Sequence, residues 1–223
     1  MTTPTTNARF ITFEGGEGAG KTTQIKLLGA RLALAGIPHV STREPGGTHG
    51  AEAIRNLVVS GDKERWDPIS ETLLMMAARH DHVRRFIGPS LESGRWVLCD
   101  RFQDSTVAYQ GYCGGVAIEH LEALYTFAIG KLRPELTLIF DIPPEVGLDR
   151  AYSRDRHRLA ALPQTENRFE RMDADFHKGL RQAFLKIAHS DPQRCVVVNA
   201  HQNESEVHRA VVAAVSQRLG IVL

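Results

Sequence analysis

Residues 15–22 read Gly15-Gly16-Glu17-Gly18-Ala19-Gly20-Lys21-Thr22, which puts glycines, a lysine and a hydroxyl at the spacing G-x-x-x-x-G-K-[ST]. Glycines let successive backbone N–H groups turn inward around phosphate oxygens, and a helix starting just after the loop adds its positive N-terminal end. Lys21 is placed to reach the outer phosphates of a nucleoside triphosphate, and Thr22 to hold the accompanying Mg²⁺. The apolar run Phe10-Ile11-Thr12-Phe13 before the loop and the amphipathic stretch after it supply the strand and helix that such a loop requires. These residues point to an ATP or GTP site.

Polar residues also follow three other apolar runs. Thr42-Arg43-Glu44-Pro45-Gly46-Gly47-Thr48 follows the second, Asp100-Arg101-Phe102-Gln103-Asp104-Ser105-Thr106-Val107-Ala108-Tyr109-Gln110-Gly111 the third, and Asp141-Ile142-Pro143-Pro144-Glu145 the fourth. Ligands of open α/β sheets bind at the carboxyl ends of the strands, so loops of this kind predict a second substrate. Asp100, closing an apolar strand, is a candidate Mg²⁺-associated carboxylate, and Arg101 beside it a candidate for an anionic substrate. A guanine-dependent switch would show N-K-x-D after a late strand, where this chain has Asn199-Ala200-His201-Gln202. A phosphotransferase is therefore favoured over a nucleotide-gated regulator.

The elements that must position these residues alternate. Strand-like runs at 10–13, 39–42, 96–99, 136–140 and 195–198 are separated by helical stretches at about 21–35, 51–59, 69–93, 119–130, 144–154, 169–189 and 204–219. Nearly continuous apolar strands between helices predict an α/β fold, a five-stranded parallel sheet covered on both faces. Within 69–87 the stripe Ile69, Leu73, Met76, Val83, Ile87 is expected to face the core, while Met75, Arg79, His82 and Phe86 form a second stripe turned by about 100°. Residues 1–8 read as a disordered tail, 9–223 as a single domain, and the polar segment at about 150–168 as a mobile lid.

Composition sets the outer bounds. With 27 Lys and Arg against 26 Asp and Glu, the net charge of +1 argues against a surface for a nucleic acid polymer or an anionic membrane. No apolar run approaches the roughly 20 residues that span a bilayer. Three dispersed cysteines, at 99, 113 and 195, suggest neither a disulfide framework nor a zinc site and fit a reducing cytoplasm.

From about Phe10 to Gly220 the sequence resembles the thymidylate kinase family. The motifs that carry the resemblance are F-x-E-G-G-E-G-A-G-K-T-T at 13–23, T-R-E-P-G-G-T at 42–48, A-A-R at 77–79, D-R-x-x-D-S-T-x-A-Y-Q-G at 100–111 and P-E-V-G-L at 144–148. The resemblance implies a phosphate-loop NTPase fold and transfer of the γ-phosphoryl of ATP to dTMP, with Mg²⁺. It also implies a homodimer, and the bacterial subtype in which a lid supplies the catalytic arginine. It makes Arg79 similar to an arginine that bonds the pyrimidine, and Met75 the occupant of a position usually held by a stacking Phe, where a thioether can still cover a ring. Ser105 and Thr106 match positions near the polar edge of the base, which Gln110 could also read. Tyr109 matches a ring beside the sugar, Phe169 an aromatic closing over the nucleoside, and either could instead be a core residue. Arg43, Arg101 and Pro45 are the candidates for the pocket of the dTMP phosphate.

Segment 150–158 has four arginines and one aspartate, a local charge of +3. Beside an ATP site it reads as the lid, with Arg154 the likeness-based choice of catalytic arginine and Arg150, Arg156 and Arg158 as alternates. Lys21, Glu17 and Arg101 complete the expected catalytic set, Glu17 orienting the acceptor as its family counterpart does. A kinase for another nucleoside monophosphate is the nearest alternative.

Overall fold

In the computed structural model, residues 8–62, 64–158 and 168–223 are described, the side chains of 154–158 excepted. Five strands, β1 (Phe10–Gly15), β2 (His39–Arg43), β3 (Trp96–Asp100), β4 (Leu136–Asp141) and β5 (Cys195–Asn199), form one parallel sheet in the order β2-β3-β1-β4-β5. Thr12 stands opposite Cys99 on one side and Thr137 on the other, so the strand that feeds the glycine loop is central. Every residue of β1 is buried, as an apolar run covered on both faces should be.

Helices cover both faces. On one, α1 (Lys21–Leu34) and α9 (Glu204–Leu219) place Ile25, Leu28, Leu32, Val207, Val211 and Val215 against Ile11, Phe13, Leu98, Leu138 and Phe140. On the other lie α2 (His49–Val59), α3 (Pro68–His82), α4 (Gly88–Glu92), α5 (Gln103–Thr106) and α6 (Ile118–Ile129), with α7 (Pro144–Arg158) and α8 (Ala174–Ser190) following in the chain. There Phe10, Val97 and Cys99 meet Met76, Ile87, Phe102 and Tyr125, and Ile139 meets Leu180, Phe184 and Ile187 of α8.

Five sequence expectations are corrected. The helix expected over 69–93 contains a wide π turn at Val83–Ile87, where Gly88 N–H bonds the Val83 carbonyl. Pro89 has no N–H for the carbonyl of Arg85 and its ring would meet it, so the chain widens there rather than breaking. Ile69 and Leu73, expected in the core, are 64% and 54% exposed, whereas Met75, Arg79 and His82 of the second stripe are buried. The segment after β3, read as a loop, is helical from Gln103 and continues as a π turn over Val107–Cys113. Finally, α8 starts at Ala174 because Asp173 caps it, accepting from Phe176 N–H at 2.7 Å, which leaves Phe169 in a turn. Ala8, placed in the tail by sequence, is buried.

Candidate active site

The loop 15–20 leaves β1 at its carboxyl end and opens α1. Gly20 precedes that helix in a left-handed conformation (φ 88°) and provides no side-chain cap, so the first N–H groups of α1 stay available to an anion. Glycine is required at one further contact. A Cβ on Gly18 would sit 1.9 Å from the Gly147 carbonyl oxygen, and one on Gly147 would sit 2.4 Å from that of Glu17. The G of P-E-V-G-L thus lets the first turn of α7 rest directly on the phosphate loop.

Lys21 donates to the carbonyls of Gly15 (3.0 Å) and Gly16 (2.8 Å). Burial and the neighbouring Arg101 lower its pKa to about 8, against the pull of Asp100, Glu17 and Glu14. Thr22 Oγ1 donates to Asp100 Oδ2 at 2.8 Å, which brings together the two oxygen ligands expected for Mg²⁺. A hydroxyl and a carboxylate suit this hard cation, which keeps several waters and takes few protein ligands.

Arg101 has a positive φ of 68°, a conformation that costs energy in a non-glycine residue and persists only where surroundings hold it. Here its N–H donates to Phe13 carbonyl (2.9 Å), and its guanidinium reaches Ser105 Oγ (3.1 Å) and Glu17 Oε1 (3.1 Å) over the Tyr109 ring. Glu17 also accepts from the Tyr109 hydroxyl and lies 3.7 Å from His177 Nδ1. Burial pushes its pKa up, but Arg101, Lys21 and Tyr109 outweigh that and hold it below the ordinary value. Glu17 is therefore an ionised carboxylate amid cationic groups.

Beneath this pair lies Glu14, which the sequence reading did not single out. Its Oε1 accepts from the N–H groups of Phe102 (2.7 Å) and Ser105 (3.3 Å), and its Oε2 from Ser105 Oγ (2.6 Å). One buried carboxylate thus fixes the turn that carries Arg101. Burial and the nearby Asp104 raise its pKa to about 7, against the opposing bonds and Arg101.

A cleft of about 1500 Å³ runs from the loop past the ends of β2 and β3 to α3 and Phe169. Of the expected site residues it is lined by Glu17, Gly18, Ala19, Gly20, Lys21, Thr22, Arg43, Pro45, Met75, Asp100, Arg101, Ser105, Tyr109, Gln110 and Phe169. Arg79 and Thr106 are buried behind this lining. Arg79 donates to Glu44 (2.7 Å), Gln103 Oε1 (2.7 Å) and Phe102 carbonyl (3.0 Å), so it ties α3 to the strand ends. Arg43 pairs with Glu52 at 3.1 Å on the rim. Ser105 is committed to Glu14 and Arg101 rather than free for a base. Tyr109 stacks edge-on to Phe169 with centroids 5.2 Å apart, which joins the two rings expected to border the nucleoside. Arg150 lines the cleft and donates to Ala200 carbonyl at 3.2 Å, while Arg154, Arg156 and Arg158 lie outside the described side chains.

Glu44, Gln103, Glu71, Arg168 and His177 were also missed. Glu44 stood inside a quoted motif but read as turn chemistry; Glu71 and His177 carry no local signal, because their partners are distant in sequence.

A phosphate loop and a second, arginine-bearing turn that open into one cleft define a nucleoside monophosphate kinase of the phosphate-loop class. A family model described as thymidylate kinase matches residues 13–211. Similar chains include a thymidylate kinase of Bradyrhizobium sp., 56% identical over 211 residues with 95% of this chain and 91% of that one covered. Another, from Rhodopseudomonas palustris, is 52% identical over 215 residues, covering 96% and 91%. The crystal structure of thymidylate kinase from Ehrlichia chaffeensis superposes with a TM-score of 0.71 at 34% identity, covering 92% of this chain and 97% of that one. The chain belongs to the thymidylate kinase family.

Proposed function

We propose that this chain converts dTMP and ATP to dTDP and ADP by direct in-line transfer in the cleft. An oxygen of the dTMP phosphate forms the new bond to the γ-phosphorus while the β–γ bridging bond breaks. The acceptor is already ionised at neutral pH, so positioning and charge neutralisation carry the rate rather than a general base. The observation that carries this reading is the Arg101–Glu17 pair, which stands between the phosphate loop and the region lined by Tyr109, Gln110 and Phe169.

In this reading the N–H groups of Gly15, Gly16, Gly18, Ala19 and Gly20, with Lys21, hold the ATP phosphates. Arg101 and Arg43 receive the dTMP phosphate, and Glu17 orients the acceptor. Thr22 and Asp100 would hold Mg²⁺, which when bound neutralises developing phosphate charge. Met75 and Phe169 flank the base, whose edge Gln110 reads, and Pro45 and Tyr109 wall the phosphate and sugar. Arg79 and Thr106 support that wall from behind, and Ser105 holds Arg101 within it. Arg154 closes over the transferring group as part of a lid at 150–168.

We also infer a homodimer, supported by Leu57, Ile69, Leu73 and Phe127, which are exposed on the neighbouring helices α2, α3 and α6. No described helix is long and apolar enough to cross a membrane, and the cytoplasm is the proposed location. Titrating dTMP into the Arg101→Ala variant by calorimetry tests the assignment of the acceptor phosphate. Binding weakened at least about tenfold, with ATP affinity retained, is expected for a lost charged hydrogen bond; unchanged dTMP binding would place that phosphate elsewhere.

A further inference from the structure

The amide of Gln110 is buried in the cleft wall with its two ends in unequal states. Nε2 donates to Glu71 Oε1 at 2.6 Å, whereas Oε1 is without a hydrogen-bond partner among the described residues. Glu71 stands in the first turn of α3, where the helix N-terminus favours negative charge, and its other oxygen accepts from Arg168. Arg168 is anchored in turn on the carbonyls of Val58 (3.1 Å) and Asp62 (3.2 Å).

The chemistry of these partners decides which way the amide faces. A carboxylate paired with a guanidinium can only accept, so the NH₂ end of Gln110 must turn to Glu71 and the carbonyl end is left over. We propose that Glu71, held by Arg168, is a positioning residue that sets the base specificity of the cleft by making Gln110 a fixed hydrogen-bond acceptor. This inference rests on the reading of Gln110 as a base contact. A fixed acceptor suits a pyrimidine whose ring N3 carries a hydrogen, as in thymine and uracil. Cytosine presents a lone pair at N3, so two acceptors would face each other, and discrimination comes from that repulsion as well as from the bond gained.

The test is kcat/KM for dTMP and for dCMP in wild type, Glu71→Gln, Gln110→Leu and the double variant. An uncharged Gln at 71 can offer either end of its amide, so Gln110 is free to turn. Glu71→Gln is expected to lower the dTMP:dCMP ratio at least about tenfold, the scale of one hydrogen bond to a charged group, with KM for ATP unchanged. The double variant should lose no more discrimination than Gln110→Leu alone. Glu71→Asp keeps a carboxylate for Arg168 but withdraws it from Gln110, and should lower the ratio too, so the test stands even where Glu71→Gln does not fold. A parallel fall for both substrates at an unchanged ratio in either Glu71 variant would overturn the proposal and leave Glu71 a purely structural residue. If Gln110→Leu leaves the ratio untouched, base reading by Gln110 itself fails and the inference falls with it. If Gln110→Leu lowers the ratio and neither Glu71 variant does, the role of Glu71 alone is refuted.

Discussion

Glu14 offers a quantitative test of how the turn that carries Arg101 is held. Its carboxyl is buried, accepts from Phe102, Ser105 N–H and Ser105 hydroxyl, and has its pKa raised from 4.5 to about 7 by burial and Asp104. Between those values the unfolded chain has released the proton and the native one retains it, so native binds more protons and stability falls as pH rises. The contribution is fully present below pH 4.5 and is lost through about pH 7. At about 1.4 kcal/mol per unit the whole shift is on the order of 3 kcal/mol, most of it falling between pH 5 and pH 8. For a chain of 223 residues this is roughly 5–10 °C in Tm. Glu14→Gln removes the titration and nothing else that ionises. Calorimetric scans of both proteins from pH 5 to pH 8 should therefore show the variant's Tm gaining that amount on the wild type. A Tm difference independent of pH would refute the assignment of a protonatable carboxyl to this position.

Other consequences follow from the same geometry. Gly147→Ala places a Cβ against the Glu17 carbonyl at 2.4 Å, so it should cost about 1–3 kcal/mol of stability and raise KM for ATP, checked by denaturant titration and steady-state kinetics. Asp100→Asn should raise the Mg²⁺ concentration needed for half-maximal rate at least about tenfold, because a charged ligand and the partner of Thr22 Oγ1 are both altered; an unchanged Mg²⁺ titration would remove Asp100 from the metal site. Arg154→Ala should lower kcat by at least about 10²-fold with little change in ATP affinity, the pattern of a contact made mainly in the transition state. Unchanged turnover would transfer the lid role to Arg150, Arg156 or Arg158.

The sequence revealed strands more fully than faces. All five strands stood out because fully buried parallel strands read as apolar runs, and the glycine loop because its chemistry is local. The inward face of α3 was read in part: Met76 is buried while Ile69 and Leu73 are exposed, because periodicity marks an amphipathic helix without saying how far each stripe is covered. Arg79 and His82 are buried with Glu44, 35 and 38 residues away, paired to both. The helix after β3 was hidden by polar Gln103, Asp104, Ser105 and Thr106; the partners of Asp104 and Ser105, namely Thr137, the half-buried Arg194 and Glu14, again come from other elements. The residues that line the cleft were largely legible through motifs. Those that orient them, Glu14 and Glu71 above all, act through contacts that only the folded chain assembles.

The most direct measurement of the central claim is a coupled ADP-release assay with ATP, Mg²⁺ and a panel of nucleoside monophosphates. The cleft described here predicts the highest kcat/KM for dTMP, with dUMP accepted more weakly and dCMP poorest among the pyrimidine deoxynucleotides. Equal rates across the panel, or ATP turnover indifferent to any monophosphate, would contradict it.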